Sequence, residues 1–340
     1  MQFTNATIFS FADMDKSTLQ ELEKHLPECV LKPVGPLEVS SRGFIPPMGR
    51  EDEALAYRTD DAIWLAIGGE DRILPPAVVS RELERKIAEI TEKEGRAPGS
   101  RTRRRIKDEV VTELIPKAFI KPSRTDVYIN TRLGICVVDT ASRKTAESAV
   151  SMIRRALGSF PALPSNAEVA PSSVLADLFL AGNDPLITLG DEIELKDPAG
   201  EGTIRASRED LHNQDLRKHM EAGKRVTRLG LNLGESSSFV MGEDLTLRKI
   251  RFHTLGEALE EKEVDSLRME LATRFEVFHH EFSAIYCKLA QLFRLTGAAP
   301  LFDGHKDFSQ VLLARVRERL GTRASMTNDN GQLTLTISAA

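Results

Sequence analysis

Cysteines, aromatic residues and long apolar runs are all scarce in this sequence of 340 residues. Its three cysteines, Cys29, Cys136 and Cys287, stand far apart and fit neither a disulfide framework nor a zinc site. No apolar run approaches the ~18–20 residues of a membrane-spanning helix, and no basic segment followed by an apolar block opens the chain. These absences exclude a disulfide-rich secreted domain and an integral membrane protein, and they predict a location in the reducing cytoplasm.

Recognisable catalytic motifs are lacking too: there is no phosphate-binding loop, no dinucleotide-binding glycine pattern and no serine-hydrolase elbow. A metal-dependent nuclease or repair enzyme stays open as an alternative, because carboxylates beside a lysine could hold a catalytic cation. Glu194-Leu-Lys196, with Asp184 and Asp191 upstream, has this pattern, but Glu260-Glu-Lys262 matches it equally well. Two hits make the pattern weakly specific, so we predict no catalytic residue, no metal and no cofactor.

The net charge of −5 conceals a basic middle third. Residues 76–164 hold 18 basic and 11 acidic residues, whereas the segments on either side carry a net charge of −6 each. Residues 95–107, GRAPGSRTRRRIK, contain no acid at all. A polyanion responds to such local potential, and the sequence lacks recognition-helix, zinc-finger and RNA-binding aromatic motifs. The pattern predicts sequence-independent contact with DNA phosphates by Arg101, Arg103, Arg104, Arg105, Lys107, Lys117, Lys121, Arg124, Lys224, Arg225 and Arg228.

Hydrophobic periodicity predicts an α+β chain of mixed strands and helices. Apolar residues spaced by three and four predict a helical hairpin at 77–94 and 101–115, a helix at 141–157 and one long helix, or two with a break, at 264–295. Short β-rich runs predict strands at 62–67, 202–206, 225–233, 238–241, 245–252 and 332–339, with a bulge beside Arg248, and a β-hairpin at 125–140. Residues 43–49, GFIPPMG, are expected to form neither a helix nor a central strand, and no strand is predicted in the acidic stretch near 190.

Two apolar features indicate contacts with a second chain. The long helix repeats apolar residues over more than thirty positions, a seam that can pair with another helix, and its predicted contact residues are Phe275, Phe278, Phe282, Ile285 and Leu289. His279 and His280 in the same helix are expected at its surface or at an interface. Phe119, between Lys117 and Lys121, is either buried beneath the helical hairpin or exposed as a contact residue.

Eight segments occur in the order expected of the recombination-associated RdgC family, which this chain resembles over about residues 1–297. They are GFIPPMG (43–49), ILP (73–75), KDEVVTELIPKAF (107–119), GICVVDTAS (134–142), LGSFP (157–161), IRASREDL (204–211), HMEAGKRVTRL (219–229) and LATRFEVFHHEF (271–282). The resemblance implies a DNA-binding protein without enzymatic activity, whose horseshoe-shaped subunits close a ring as a homodimer around duplex DNA. It further implies antagonism of the recombinase RecA, support of replication and association with the nucleoid; single-stranded DNA is an alternative ligand.

The resemblance also implies a division of the subunit. Residues 1–75 and 117–165 form a central α+β domain, 76–116 a helical-hairpin tip, 166–297 a base with the long dimerisation helix, and 298–340 a C-terminal extension of unknown role. One dimer interface lies at the bases and the other at a tip-side gate, to which Phe119 is carried over from the matched P-K-A-F segment. A further hypothesis is a regulator that binds the recombinase itself and touches DNA only incidentally.

Overall fold

One continuous antiparallel sheet of twelve strands organises the chain. The computed structural model describes residues 3–11, 16–59, 61–182, 184, 186–200, 202–253, 266–296, 323–329 and 332–338. Its strands are β1 (Asn5–Ser10), β2 (Ser40–Ile45), β3 (Ala56–Arg58), β4 (Ala62–Ile73), β5 (Phe119–Asn130), β6 (Ile135–Val138), β7 (Leu163–Pro164), β8 (Asn166–Ala167), β9 (Ile187–Lys196), β10 (Thr203–Ser207), β11 (Arg225–Leu233), β12 (Ser237–Gly242), β13 (Leu247–Phe252), β14 (Leu295–Thr296), β15 (Arg323–Asp329) and β16 (Gln332–Ser338). Its α-helices are α1 (Lys16–His25), α2 (Pro76–Glu94), α3 (Ser100–Leu114), α4 (Arg143–Leu157), α5 (Pro171–Ala181), α6 (Gln214–Glu221) and α7 (Leu267–Phe293).

The strand order of the sheet joins two halves through its first strand. The path runs β10-β9-β11-β12-β13-β1-β6-β5-β4-β2, with β3 beside β4 and β7 beside β1. Strand β1 pairs with β13 through Asn5 and Ala6 and with β6 through the residues that follow. Because hydrogen bonding is continuous along this path, the sheet passes through the boundary expected between the central and base domains.

Helices cover both faces of the half built from β1, β6, β5 and β4. On one face Trp64 and Tyr128 pack against Phe275 and Phe278 of α7. On the other face a second core joins these strands to α1 and α4, with Leu22, Ile63, Val127, Ala149 and Ile153 among its buried residues. Strands enclosed on both sides are continuous apolar runs in the sequence, which is why residues 62–67 were recognisable as a strand.

Within the residues that the structure describes, the half built from β9 to β13 is covered by helices on one face only. Buried residues of these strands share the first core with α5 and α7, and they include Ile193, Leu195, Leu229, Met241, Leu247 and Ile250. The residues that alternate with them, such as Lys196, Arg225 and Arg251, are exposed. This half of the sheet therefore presents one bare face to solvent.

The long paired strands β4 and β5, which we call the arm, carry the helical hairpin, and β2 lies beside β4 as far as Asp71. Strands β4 and β5 pair along twelve residues, from Ala62 opposite Asn130 to Ile73 opposite Phe119. Beyond the arm α2 and α3 pack on each other around Val79, Ile106 and Val110. Arg72 fixes the junction, since its guanidinium donates to the carbonyl oxygens of Ile115 (3.1 Å) and Gly35 (3.2 Å). The predicted hairpin is confirmed, with a small core of its own.

Three local expectations have clear outcomes. Neither a helix nor a central strand was expected at 43–49, and β2, which reaches Ile45 before the two prolines, lies at one end of the strand path. A side chain on Gly43 would collide with the backbone of Leu31, where its Cβ would lie 2.1 Å from the nitrogen. The acidic stretch near 190 forms β9. The bulge is confirmed, because β12 pairs with β13 at Arg251 and Arg248 with a register shift between, and Lys249 has a φ of 53°.

The long helix α7 lies inside the subunit rather than on its surface. It is one unbroken helix, and Ser266 caps its amino end by accepting a hydrogen bond from the backbone of Met269. The residues predicted as the base dimer contact are all enclosed in the first core: Phe275, Phe278, Phe282, Ile285 and Leu289. The structure corrects that prediction, because side chains buried within one subunit cannot present themselves to another. The apolar repeat covers the sheet instead.

Candidate nucleic-acid interface

The bare face of the sheet is rich in cations. Lysine and arginine side chains occupy the positions that alternate with the core residues in four of the five strands, and the set comprises Lys196, Arg205, Arg225, Arg228, Arg248, Lys249 and Arg251. We call this set the basic face. Only Arg225 and Arg228 of the basic face were predicted from the sequence. Strand pairing brings in the others, since β9, β10, β11 and β13 come from segments far apart in the chain.

Carboxylates on the same face hold several of these cations in place. Glu194 on β9 stands opposite Arg205 on β10 and Arg228 on β11. The Oε2 atom of Glu194 accepts a hydrogen bond from Arg205 Nε at 2.6 Å and lies 3.5 Å from Arg228 Nη1. The Oε1 atom accepts a hydrogen bond from Thr227 Oγ1 at 2.9 Å. Burial raises the pKa of the Glu194 carboxyl, but the hydrogen bonds from Thr227 and Arg205, together with the charges of Arg228 and Arg205, outweigh burial and leave that pKa below its ordinary value.

The helical hairpin presents a second basic surface at the start of α3. All five predicted cations of this segment are exposed: Arg101, Arg103, Arg104, Arg105 and Lys107. Arg103 Nε donates to the carbonyl oxygen of Pro98 at 3.0 Å, and Arg105 lies 3.5 Å from Glu109. Positive side chains at a helix amino terminus oppose the helix dipole and reduce helix stability. The arginine run therefore does not serve the stability of α3.

The end of the arm is apolar and exposed. Phe119 is 86% exposed, so the alternative that it lies buried beneath the hairpin is wrong. Its cross-strand partner Ile73 and the adjacent Ile120 are also exposed, as is Val39, which accepts a backbone hydrogen bond from Arg72. Lys117 and Lys121 flank this apolar group and are exposed as predicted.

Two of the predicted DNA contacts are occupied within the subunit. Arg124 donates through Nη2 to the carbonyl oxygen of Pro47 and to Asp126, both at 2.8 Å, and its guanidinium lies 5.8 Å from the ring centroid of Trp64. Lys224 is largely covered and lies 4.0 Å from Asp197. Arg124 therefore braces the arm, and the structure gives both residues an internal role.

The carboxylates considered for a nuclease site are separated by the fold. Asp184 pairs with Lys288 of α7 at 2.6 Å and accepts hydrogen bonds from the backbone of Leu186 and Ile187. Glu194 is on the bare face and is engaged by arginines. Within the described residues no group of three histidine, cysteine, aspartate or glutamate side chains could hold a metal ion. Glu260-Glu-Lys262 lies outside the described residues.

Comparison with known proteins decides the family. A family model described as "Putative exonuclease, RdgC" matches residues 1–296. The chain belongs to the RdgC family. Two relatives named recombination-associated protein RdgC come from Xanthomonas campestris pv. campestris (strain B100) and Xanthomonas axonopodis pv. citri (strain 306). Each is 47% identical to this chain over 305 residues, which are 88% of this chain. The match covers 99% of the first relative and 100% of the second. The Stenotrophomonas maltophilia (strain R551-3) RdgC protein is 45% identical over 304 residues, covering 88% of this chain and all of that relative.

The family model matches nearly the same residues over which the sequence resembles the RdgC family. It confirms the RdgC family assignment and covers every segment that suggested it, since these segments all lie within residues 43–282. Among the residues that the structure describes, none of the helices is long and apolar enough to cross a membrane. Mixed helices and a large antiparallel sheet agree with the α+β fold class.

Proposed function

We propose that this chain is a DNA-binding protein without catalytic activity, which acts as a homodimeric ring around duplex DNA and shows no marked sequence preference. The observation that carries the proposal is the basic face. A sheet face covered with lysine and arginine contacts phosphates, which are the same at every base pair, and such contacts position a protein without reading sequence. By occupying DNA it would restrain the recombinase RecA and support replication. It would act in the cytoplasm, associated with the nucleoid. The names of the relatives, which call them recombination-associated, support this role.

Ring closure would use two interfaces on each horseshoe-shaped subunit. The exposed apolar group at the end of the arm supports a gate at Phe119, because an apolar patch of this kind marks a contact with another protein. A two-fold axis would bring the same patch of the second copy against it. The base interface cannot use the buried residues of α7, so we assign it to the exposed first turn of that helix, where Leu267 and Met269 face solvent.

The decisive experiment compares linear and covalently closed circular duplex DNA over a range of salt concentrations. A ring dissociates from linear DNA by sliding off an end, but a closed circle retains it until the gate opens. We expect salt-resistant retention on closed circles, and release when the same circles are cut once. Equal salt sensitivity of the two DNA forms would contradict encirclement, whereas an absence of binding at low salt would contradict DNA binding itself.

Replacing Phe119 with alanine tests the gate. Loss of a central aromatic contact costs ~2 kcal/mol or more of binding free energy, enough to defeat a small interface. We expect Phe119→Ala to stay folded and to bind linear DNA, but to lose retention on closed circles. Leu163→Ala is the matched control, because Leu163 is also exposed but lies on β7, away from the arm. Retention of the Phe119→Ala protein at the level of the parent would place the gate elsewhere.

The family description favours testing one alternative, an exonuclease. The carboxylates that suggested a metal site do not fit one, because the oxygens of Glu194 already accept hydrogen bonds from Thr227 and Arg205. Purified protein incubated with Mg²⁺ and end-labelled duplex should release no nucleotides. Degradation that Glu194→Gln abolishes would establish the enzyme instead. The regulator hypothesis is tested separately, since it requires binding to RecA in the absence of DNA.

A further inference from the structure

A small depression lies within the basic face, at the junction of β9, β10, β11 and β13. Its volume is about 240 Å³. Four cations and two carboxylates supply the charges of its wall: Arg205, Arg228, Arg248, Lys249, Glu192 and Glu194. Of its cations the sequence indicated only Arg228 as a phosphate contact, because the charges of the depression come from four strands.

Glu194 aligns two of the arginines. Residues directly opposite each other on antiparallel strands have Cβ atoms ~4.5–5.5 Å apart, and Glu194 occupies that position toward both Arg205 and Arg228. The carboxylate is only 13% exposed, whereas the Arg205 side chain is 71% exposed. Arg205 donates to Glu194 through Nε, and most of its side chain stays exposed to solvent. The pair holds the guanidinium in place and leaves its outer edge available.

The other two cations are also fixed by their own partners. Arg248 donates to both oxygens of Asp244, at 2.7 and 3.2 Å, and this pair occupies the space above Gly242. A Cβ atom at Gly242 would lie 2.3 Å from Asp244 Oδ1 and 2.6 Å from Arg248 Nη1, so a side chain there would displace the pair. Lys249 stands at the bulge and donates to Glu192.

The charge and the size of the depression define its ligand. Its wall carries four cations and two carboxylates that accept from them, and Asp244 beside the wall engages Arg248, so one positive charge remains in excess. The volume lies below the ~300–1,000 Å³ of pockets for drug-sized molecules, so the ligand is a small anion. Fixed guanidinium groups match the oxygens of phosphate. We propose that this depression is a phosphate site that receives one backbone phosphate of bound DNA, an assignment that rests on the proposed function.

Inorganic phosphate tests the site without DNA. Calorimetric titration of the parent protein with phosphate, at constant ionic strength set by chloride, should show saturable binding that Arg205→Gln weakens at least tenfold. Arg143→Gln is the matched control, because Arg143 is also 71% exposed and pairs with a carboxylate, Glu147, on α4. Arg228→Gln provides a second variant of the same wall. Equal phosphate binding by the parent and by both wall variants, or no saturable binding by any of them, would overturn the site.

The salt dependence of duplex binding identifies the source of the phosphate. Loss of one phosphate contact should reduce the slope of log affinity against log salt by ~0.9, and we expect this for Arg205→Gln but not for Arg143→Gln. Phosphate binding lost with an unchanged DNA slope would overturn the DNA assignment in favour of free phosphate. If the parent fails to bind duplex at all, the proposed function fails, and the phosphate titration still decides whether the depression is an anion site.

Discussion

The two halves of the sheet differ in what lies against them. Strand β6 is buried at all four positions, and β4 is buried from Ala62 to Gly69, because helices pack on both faces there. Strands β9 to β13 bury one side against α5 and α7, and on the other side the cations of β9, β10, β11 and β13 are exposed or half-buried, whereas β12 is buried at five of its six positions. The same hydrogen-bonded sheet thus supplies a core in one half and, in our proposal, a DNA-binding surface in the other. Substitutions in the first half should alter folding, and those on the basic face should alter DNA binding.

The largest expected effect is on stability, when an aromatic side chain is removed from the core of the covered half. Phe278 stacks on Phe3 with centroids 4.3 Å apart and meets Tyr128 edge-on at 5.0 Å. Removing a buried phenylalanine side chain costs ~3–5 kcal/mol, so Phe278→Ala should lower the free energy of unfolding by about that amount in urea denaturation. Gln291→Ala, exposed on the same helix, should change it by less than ~0.5 kcal/mol. A stable Phe278→Ala protein altered only in its oligomeric state would return α7 to the dimer interface.

The second effect separates DNA binding from stability on the bare half. Replacing Arg225, Arg228 and Arg251 with glutamine should reduce the salt slope of duplex binding by up to ~2.7, if each contacts one phosphate. The unfolding free energy should change little, because exposed substitutions typically stay within ~0.5 kcal/mol each. The control replaces three exposed cations of α4, Arg143, Lys144 and Arg155, and removes the same charge. An equal loss of slope in both proteins would mean that only net charge matters and that the basic face is not the contact surface.

This contrast also explains what the sequence could predict. The helical hairpin, α4 and α7 were predictable, because apolar spacing of three and four survives in any helix with one buried side. Strand β9 was missed because Asp191, Glu192 and Glu194 masked the alternation of its buried residues Ile193 and Leu195. Strand β2 was missed because its glycine and the prolines that follow it indicated a turn.

The site was less predictable than the fold. Arginine runs are visible in the sequence, so the cations of α3 were found. Partners on neighbouring strands are not visible, because register decides them: Glu194, Arg205 and Arg228 come together only after β9, β10 and β11 have paired. The role of α7 was misassigned for a related reason. A long apolar repeat shows that one side of a helix is buried, but the partner that buries it is specified by tertiary structure.

The smallest predicted effect concerns a buried histidine in the covered half. The sequence placed His279 at the surface or an interface, but its Nδ1 lies 2.7 Å from the hydroxyl of Tyr128 and its Nε2 lies 3.2 Å from Asp61. The imidazole thus links α7 to Tyr128 on β5 and to Asp61, which immediately precedes β4. Burial lowers the pKa of His279 below its ordinary 6.5; the charge of Asp61 opposes this shift, and His280 and Arg132 add to it.

The direction of the pH effect follows from that shift. As pH falls below about 6.5, the unfolded chain takes up a proton at this histidine more readily than the folded protein does, so the unfolding free energy decreases. The unfolding free energy stops decreasing once the pH is below the pKa of His279 in the folded protein. Urea denaturation between pH 7.5 and pH 5 should therefore show a decline that His279→Gln reduces, since glutamine keeps a hydrogen-bonding group but does not titrate. His280→Gln, at an exposed position, is the control, and an equal decline in the parent and in His279→Gln would assign the pH dependence to other groups. The basic face gives the contrasting expectation, because Glu194, with its lowered pKa, stays charged throughout this range and leaves its arginine contacts unchanged.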